Sequence, residues 1–267
     1  MLRDGFPQDP LSRMPKTVLV TGASSGLGAE YARRLAARAA DVVLVGRDRA
    51  ALDAVAAEIR DRYRVQAEVL VADLTKPRQR AKVEARLTDP ERPIEVLVNN
   101  AGFGLPLAFE RNDIEDEARH LELHVEVPMR LMHAALGPML SREHGRIINV
   151  ASVAAYTPRS TYGAVKRWVV EFSRWANAAY SPSGVTVTAV CPGFTHTNFH
   201  ERMGLAPGRE GVADWLWLDA DVVVEQSLRD AARGRAVSTP SLKWKLITAA
   251  ARLLPASVAA AAGRRGR

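Results

Sequence analysis

Residues 16–28 read Lys16-Thr17-Val18-Leu19-Val20-Thr21-Gly22-Ala23-Ser24-Ser25-Gly26-Leu27-Gly28. The first part is a short apolar run, which suits a strand buried on both faces of a parallel sheet. Glycines follow at once, and Ala29 to Ala39 then has helix-forming composition. Strand, glycine turn and helix in that order make the first half of a βαβ unit. Glycines let the backbone turn tightly and bring its N–H groups close to a pyrophosphate, whose charge is favoured at a helix N-terminus. Many turns are glycine-rich for steric reasons alone, so the placement between strand and helix carries the argument. The spacing is G-x-x-x-G-x-G rather than G-x-G-x-x-G.

The same alternation continues outward from this stretch. Asp41–Gly46 reads as a second buried strand, and Asp48 is placed to cap a helix running to about Arg62. Ala67–Ala72 is a third strand, and Pro77 opens the next helix. Ile94–Val98 is a fourth strand, followed by a long helical segment near Glu115–Leu140. Gly145 breaks that segment before a fifth strand, Arg146–Val150. Thr161–Tyr180 is helical and Val185–Val190 is a sixth strand. Repeated βαβ units predict an α/β architecture: a doubly wound parallel sheet with helices on both faces, in three layers, joined by right-handed crossovers. No linker divides residues 16–240, which read as a single domain. Residues 1–15 hold three prolines and no periodic pattern, and read as a mobile lead-in.

Residues 198–218 break the rhythm. Gly204, Pro207, Gly208 and Gly211 are interspersed with Phe199, Met203, Trp215 and Trp217. In open α/β sheets ligands bind beyond the carboxyl ends of the strands, so this segment reads as a lid; a poorly patterned helix pair packed on the core is the other reading.

Composition narrows the class. The chain has 267 residues, 47% apolar and 25% charged, which is ordinary for a globular protein. No apolar run reaches the ~18 residues of a membrane span. The first residues lack the apolar stretch of a secretory signal, and the single cysteine, Cys191, forms no internal disulfide or cysteine-based metal site. A cytoplasmic location is expected. The net charge of +7 is uneven, with +8 after Asp230, where no acidic residue occurs, and −1 before it. A basic tail on a near-neutral body does not make a nucleic-acid-binding domain.

Three further features carry chemistry. The second strand ends Val45-Gly46-Arg47. Sites that prefer NAD usually place an acid there for the ribose 2′-hydroxyl, whereas an arginine pairs with a 2′-phosphate. NADP(H) is therefore the preferred cofactor, with NAD(H) open if Arg47 is merely solvated. Tyr162 and Lys166 are spaced i, i+4 and so share a helix face. A nearby ammonium stabilises phenolate and would lower the tyrosine pKa, making it an acid/base for a carbonyl or alcohol. A plain surface pair is the alternative. Ser152 follows the fifth strand, where its hydroxyl faces the expected cleft; it either polarises a substrate oxygen or caps a turn.

Together these pieces resemble the short-chain dehydrogenase/reductase family. The resemblance rests on Thr21-Gly22-Ala23-Ser24-Ser25-Gly26-Leu27-Gly28, Asp73-Leu74, Asn99-Asn100-Ala101-Gly102, Ser152, Tyr162 with Lys166, and Pro192-Gly193 followed by Thr195 and Thr197, in the family's order. It implies a Rossmann-type fold and hydride transfer between NADP(H) and a small-molecule carbonyl or alcohol. Tyr162 would be the acid/base, Ser152 would orient the substrate oxygen, and Lys166 would bind the nicotinamide ribose. Gly22, Ser24, Ser25, Gly26, Leu27 and Gly28 would hold the pyrophosphate, Arg47 the 2′-phosphate, and Asp73 and Leu74 the adenine. Asn99, Ala101 and Gly102 would line the cofactor, with Asn99 also tying strands together. Pro192, Gly193, Thr195 and Thr197 would hold the nicotinamide end, and residues 198–218 would form the substrate-binding loop. Relatives are often dimers or tetramers through the two long helices.

Two departures stand out. His124 occupies the position where the family commonly has an asparagine that holds a relay water. A neutral imidazole does the same or moves protons itself, unless it only packs. Ser152 and Tyr162 lie ten residues apart, closer than usual. The substituted relay leaves a catalytically weak dinucleotide-binding regulator or scaffold as the competing function. At the C-terminus, residues 241–267 form a basic helix and tail. Leu242, Leu246, Ile247, Ala250, Leu253 and Leu254 make an apolar stripe that packs on the body or another subunit, or touches an anionic membrane surface weakly.

Overall fold

The computed structural model describes residues 16–157, 160–197 and 213–253. The lead-in, most of the expected substrate loop and the end of the tail lie outside the described residues.

The strands are apolar on both pleat faces because both faces are covered. They are β1 (Thr17–Thr21), β2 (Asp41–Gly46), β3 (Ala67–Val71), β4 (Val96–Asn99), β5 (Gly145–Val150), β6 (Val185–Val190) and β7 (Val237–Ser238). They form one seven-stranded sheet in the order β3-β2-β1-β4-β5-β6-β7, and every pairing is parallel. The order reverses between β1 and β4. That switch point is where two βα loops diverge and leave a crevice at the carboxyl ends of the strands.

The helices are α1 (Gly26–Ala36), α2 (Arg49–Tyr63), α3 (Pro77–Thr88), α4 (Ile114–Leu121), α5 (Val127–Ser141), α6 (Thr161–Tyr180), α7 (Ala220–Ala232) and α8 (Leu242–Leu253). Val18 and Val20 point to one face of the sheet, where Tyr31, Leu35, Leu52, Val224 and Leu228 cover them. Leu19 points to the other, against Val83, Leu131, Met132 and Met139. The period of two along β1 thus feeds two cores.

The local signals read in the chain have their expected physical partners. Asp48 accepts from the Ala51 N–H at 3.0 Å and caps α2. Pro77 stands in the first turn of α3. Helix α1 begins at Gly26, three residues before the expected start, because the glycine turn feeds straight into it. The long helical segment is α4 and α5 joined by a π turn over Glu122–Glu126. Pro128 has no N–H to offer the His124 carbonyl four residues earlier, and the helix passes that point with wider turns.

Helix α7 and strand β7 have no counterpart in the reading of the chain, and the two-residue β7 is too short to show a pattern. Of the packings expected for the apolar stripe of α8, contact with the protein's own body is the one Leu242, Leu246 and Ile247 do not make. Leu242, Leu246 and Ile247 are exposed, and Trp244 and Thr248 are the buried side chains. Among the described side chains the inward face is set by one large indole rather than by Leu242 or Leu246; the side chains of Leu253 and Leu254 lie outside the described residues. Trp244 packs with Leu218 and Val223 and donates from Nε1 to the Leu216 carbonyl at 3.0 Å.

Candidate active site

The crevice is assembled from the residues that end β1, β4, β5 and β6. Thr21 Oγ1 bonds the Val98 carbonyl at 3.3 Å and accepts from the N–H groups of Asn100 and Ala101, each at 3.0 Å. Asn100 Nδ2 donates to the carbonyls of Thr21 and Gly22 at 3.0 and 3.2 Å. Asn100, quoted in the motif but given no role, therefore clamps the glycine turn onto β4. Gly22 and Gly26 both have left-handed backbones, at φ +65° and +55°. A Cβ on Gly28 would lie 2.1 Å from the Gly22 carbonyl oxygen, so no larger residue fits there. The turn opens α1, whose first turn holds no acidic residue. A left-handed glycine turn at an acid-free helix N-terminus fits a pyrophosphate. Thr197 faces Gly26 from the far side, since a Cβ on Gly26 would lie 3.4 Å from Thr197 Cβ.

Other expected cofactor residues divide by what they touch. Arg47 is exposed at the end of β2. The Asp73 carboxylate accepts from the Thr75 N–H and hydroxyl at 3.0 and 2.8 Å, so it holds its own turn. Leu74 is in the core. The Leu27 side chain packs beside Trp244 and Leu218, which leaves its backbone at the turn. Asn99 Nδ2 donates to Asn149 Oδ1 at 2.9 Å and ties β4 to β5, and Asn149 Nδ2 donates on to Ser173 Oγ at 2.9 Å. Thr195 is buried and bonds the Gly193 carbonyl at 3.0 Å. A Cβ on Gly193 would lie 2.0 Å from Trp244 Nε1. The C-terminal helix thus seals the back of the Pro192–Gly193 segment, a contact the sequence reading missed.

The reactive group forms around α6. Ser160 caps this helix, accepting from the Gly163 N–H at 3.2 Å, and sets Tyr162 and Lys166 on one inward face. A side-chain hydrogen bond joins Tyr162 to Ser152. Ser152 Oγ also accepts from the Ala154 N–H at 3.1 Å, so the turn-capping and cleft-facing readings both hold. Lys166 Nζ donates to the Val150 carbonyl at 2.7 Å and lies 5.5 Å from the Tyr162 ring centre.

The expectation that Lys166 lowers the tyrosine pKa is corrected by burial. Desolvation pushes the Tyr162 phenol up to about 12, against the Ser152 hydrogen bond, and pushes the Lys166 ammonium down to about 7. Lys166 is buried and Tyr162 half-buried, so both lose water that would stabilise their charged forms, and spacing along a helix does not reveal that.

His124 sits in the π turn, 2% exposed. Its Nε2 is 2.8 Å from the Phe103 carbonyl oxygen. The Phe103 N–H also points at Nε2, at 3.3 Å, so this nitrogen donates to the carbonyl in one tautomer and accepts from the N–H in the other. A Cβ on Gly102 would lie 2.4 Å from His124 Cε1, so this glycine makes room for the ring. Burial and the neighbouring Lys166 hold the imidazole well below its ordinary pKa, hence neutral. Both side chains line a small cavity of mixed character, where Thr21, Asn99 and Asn149 meet apolar side chains that include Leu123, Val127 and Val169.

A second histidine, His120, packs its ring centre 4.4 Å from that of His124 and 6.0 Å from that of Tyr162. The sequence reading passed over it, although it stands i−4 from His124, the same spacing that singled out Tyr162 and Lys166.

A doubly wound sheet with a glycine turn after β1 and a serine, tyrosine and lysine meeting beyond β5 defines a dinucleotide-dependent oxidoreductase. The short-chain dehydrogenase family model matches residues 16–206, and the chain belongs to that family. It is 33% identical over 185 residues to an uncharacterised oxidoreductase of Staphylococcus saprophyticus, covering 68% of this chain and 79% of the relative. Among solved structures it resembles a short-chain dehydrogenase from Sphingobium yanoikuyae in complex with NADPH, at 38% identity and TM-score 0.81, covering 88% of this chain and 93% of that one. It also resembles a bulky-bulky ketone specific alcohol dehydrogenase from Comamonas testosteroni, at 33% identity and TM-score 0.76, covering 88% and 91%.

Proposed function

We propose that this oxidoreductase uses NADP(H) to interconvert a carbonyl and an alcohol on a hydrophobic small molecule, with Tyr162 as the general acid/base. The observation that carries the reading is the Ser152–Tyr162 hydrogen bond with the buried Lys166 beside it. The bound cofactor would supply the hydride. The protein's own groups do the rest. Tyr162, kept protonated by burial, offers its O–H to a carbonyl oxygen. Ser152 orients that oxygen and stabilises charge developing on it. Lys166, held near neutrality by desolvation, exchanges a proton readily at physiological pH and lies where the nicotinamide ribose is expected. His124 lines the small cavity beside Lys166 and there holds water or moves the proton.

For binding, the turn Gly22, Ser24, Ser25, Gly26, Leu27 and Gly28 takes the pyrophosphate through its backbone. Arg47 takes the 2′-phosphate, Asp73 and Leu74 border the adenine, and Asn99, Ala101 and Gly102 line the middle. Pro192, Gly193, Thr195 and Thr197 hold the nicotinamide end. The similarity to the NADPH-bound Sphingobium protein supports the cofactor choice. Similarity to the Comamonas enzyme supports a ketone with two bulky substituents.

The molecule is read as a homo-oligomer through its long helices, where Leu121, Met129 and Trp175 are exposed. No described helix is long and apolar enough to cross a membrane. The exposed Leu242, Leu246 and Ile247 beside Lys245 suit a weak contact with an anionic membrane surface, which leaves the protein cytoplasmic or membrane-peripheral.

Tyr162→Phe tests the central role. It keeps the ring and removes the proton, so kcat for ketone reduction should fall by about 10²–10⁴ while NADPH still binds. Full turnover by this variant on a substrate the wild type reduces would refute the assignment.

A further inference from the structure

Arg80 is 5% exposed and stands at the fourth position of α3. A cation so near a helix N-terminus opposes the helix dipole. Its Nε lies 3.5 Å from Glu84 four residues on, the less favourable order for an ion pair along a helix. The stability of α3 alone therefore gives no reason for a buried arginine here. The reason lies in what its guanidinium holds outside the helix.

Arg80 Nη1 donates to the Leu74 carbonyl at 3.1 Å and to Glu122 Oε1 at 3.0 Å. Its Nη2 lies 3.7 Å from Glu126 Oε1. Glu122 and Glu126 are the first and last residues of the π turn, and His124 is its middle residue. One side chain thus ties both ends of the turn to the Leu74 backbone. Its neighbour Gln79 accepts from the Asp73 N–H at 2.7 Å, so α3 grips Asp73 and Leu74 together. The imidazole carries the hold onward. His124 Nε2 lies within hydrogen-bond distance of both the N–H and the carbonyl of Phe103, at 3.3 and 2.8 Å. Gly102 leaves the room that the ring occupies, since a Cβ there would stand 2.4 Å from Cε1. Contacts therefore run from Leu74 through Arg80 and the π turn to Gly102 and Phe103.

We propose that Arg80 is a positioning residue that aligns two loops of the crevice by way of His124. The loops are Asp73–Leu74 after β3 and Ala101–Phe103 after β4. The proposal rests on the reading of the crevice as an NADP(H) site. Arg80 itself need touch neither cofactor nor substrate. It keeps the adenine border and the segment beside the His124 ring at one spacing, so a cofactor seated at one end lies correctly at the other. A guanidinium suits this task because its planar fork holds several acceptors in fixed directions, which an ammonium does not.

The test compares Arg80→Met, Arg80→Lys and Glu122→Ala with wild type. It uses NADPH, a ketone the wild type reduces, and adenosine 2′,5′-bisphosphate as a probe of the adenine end alone. Glu122→Ala releases the π turn but leaves the guanidinium on Leu74. It should lower kcat by about tenfold, less than the ~100-fold that a displacement of about 1 Å can cost, and bind the bisphosphate as wild type does. Arg80→Met should lower kcat similarly and also weaken the bisphosphate several-fold. Arg80→Lys should recover little of either. Added to His124→Ala, Glu122→Ala should lower kcat no further, because both act through the same ring. The ring-nitrogen resonances of His124 should shift in Glu122→Ala, a readout that needs no turnover. Unchanged kcat or an unmoved His124 resonance in Glu122→Ala would overturn the proposal, even where Arg80→Met fails to fold. So would a loss that adds in full to that of His124→Ala. A wild type that binds NADPH but reduces no ketone would overturn the reductase reading alone, and the resonance and bisphosphate affinity would still decide the role of Arg80. One that binds neither NADPH nor the bisphosphate would overturn both.

Discussion

Lys166 is buried with its ammonium on a backbone carbonyl and no carboxylate beside it, which gives its titration a sign that can be measured. Its pKa falls from the ordinary 10.5 to about 7 on folding. Between those values the unfolded chain carries a proton that the folded chain lacks, so stability rises with pH across this window. Below it both states are charged, and folding bears the full cost of burying the ammonium. Lys166→Met should therefore be more stable than wild type at about pH 6, and the gain should shrink by about pH 9. Denaturant unfolding at the two values checks this; a gain independent of pH would contradict it. Tyr162 acts oppositely and only above 10, where its raised value makes stability fall. The identity of these residues was legible from their spacing. Their protonation was not, because desolvation depends on what covers them. His120 shows the same limit, since nothing in the chain marks a helical histidine as buried without a hydrogen-bond partner among the described residues.

At the scale of elements, six strands were readable because both faces of each are covered, so their apolar runs stand out against polar turns. The α8 surface misled for a physical reason. Helical patterning assumes that the larger apolar stripe faces inward, but here one indole outweighs it. Trp244 is 5% exposed and fills the space left by Gly193. Lys243 Nζ adds a bond to the Trp217 carbonyl at 3.0 Å. Trp244→Ala should cost about 3–5 kcal/mol, as large-to-small core changes do. It should also loosen the Pro192–Gly193 segment, raising the NADPH dissociation constant. Thermal melting and titration of this variant read the two effects, and an unchanged melting temperature would show that α8 does not brace the site. The π turn was equally illegible, although Pro128 marks the place where an α-helix cannot continue unaltered.

For the whole molecule, the parallel sheet and its switch point follow from the order of the elements, and the crevice at that point gathers motifs scattered over the chain from Gly22 to Thr197. Association is a property of the outer surface. Trp175 is 55% exposed on α6, and Met129 is 41% exposed on α5. Sedimentation should find a dimer or tetramer that Trp175→Glu shifts toward monomer, and a pelleted fraction should appear with anionic vesicles. A monomeric wild type that stays in the supernatant would refute both surface assignments.

Calorimetric titration with NADPH and NADH tests the account most directly, because every proposed role depends on the crevice holding this cofactor. The account predicts tight NADPH binding and much weaker NADH binding, with Arg47→Ala losing about 10–100-fold for NADPH alone, the worth of charge-assisted hydrogen bonds to the 2′-phosphate. Equal or stronger NADH binding would contradict the role of Arg47. Binding of neither would contradict the assignment of the crevice.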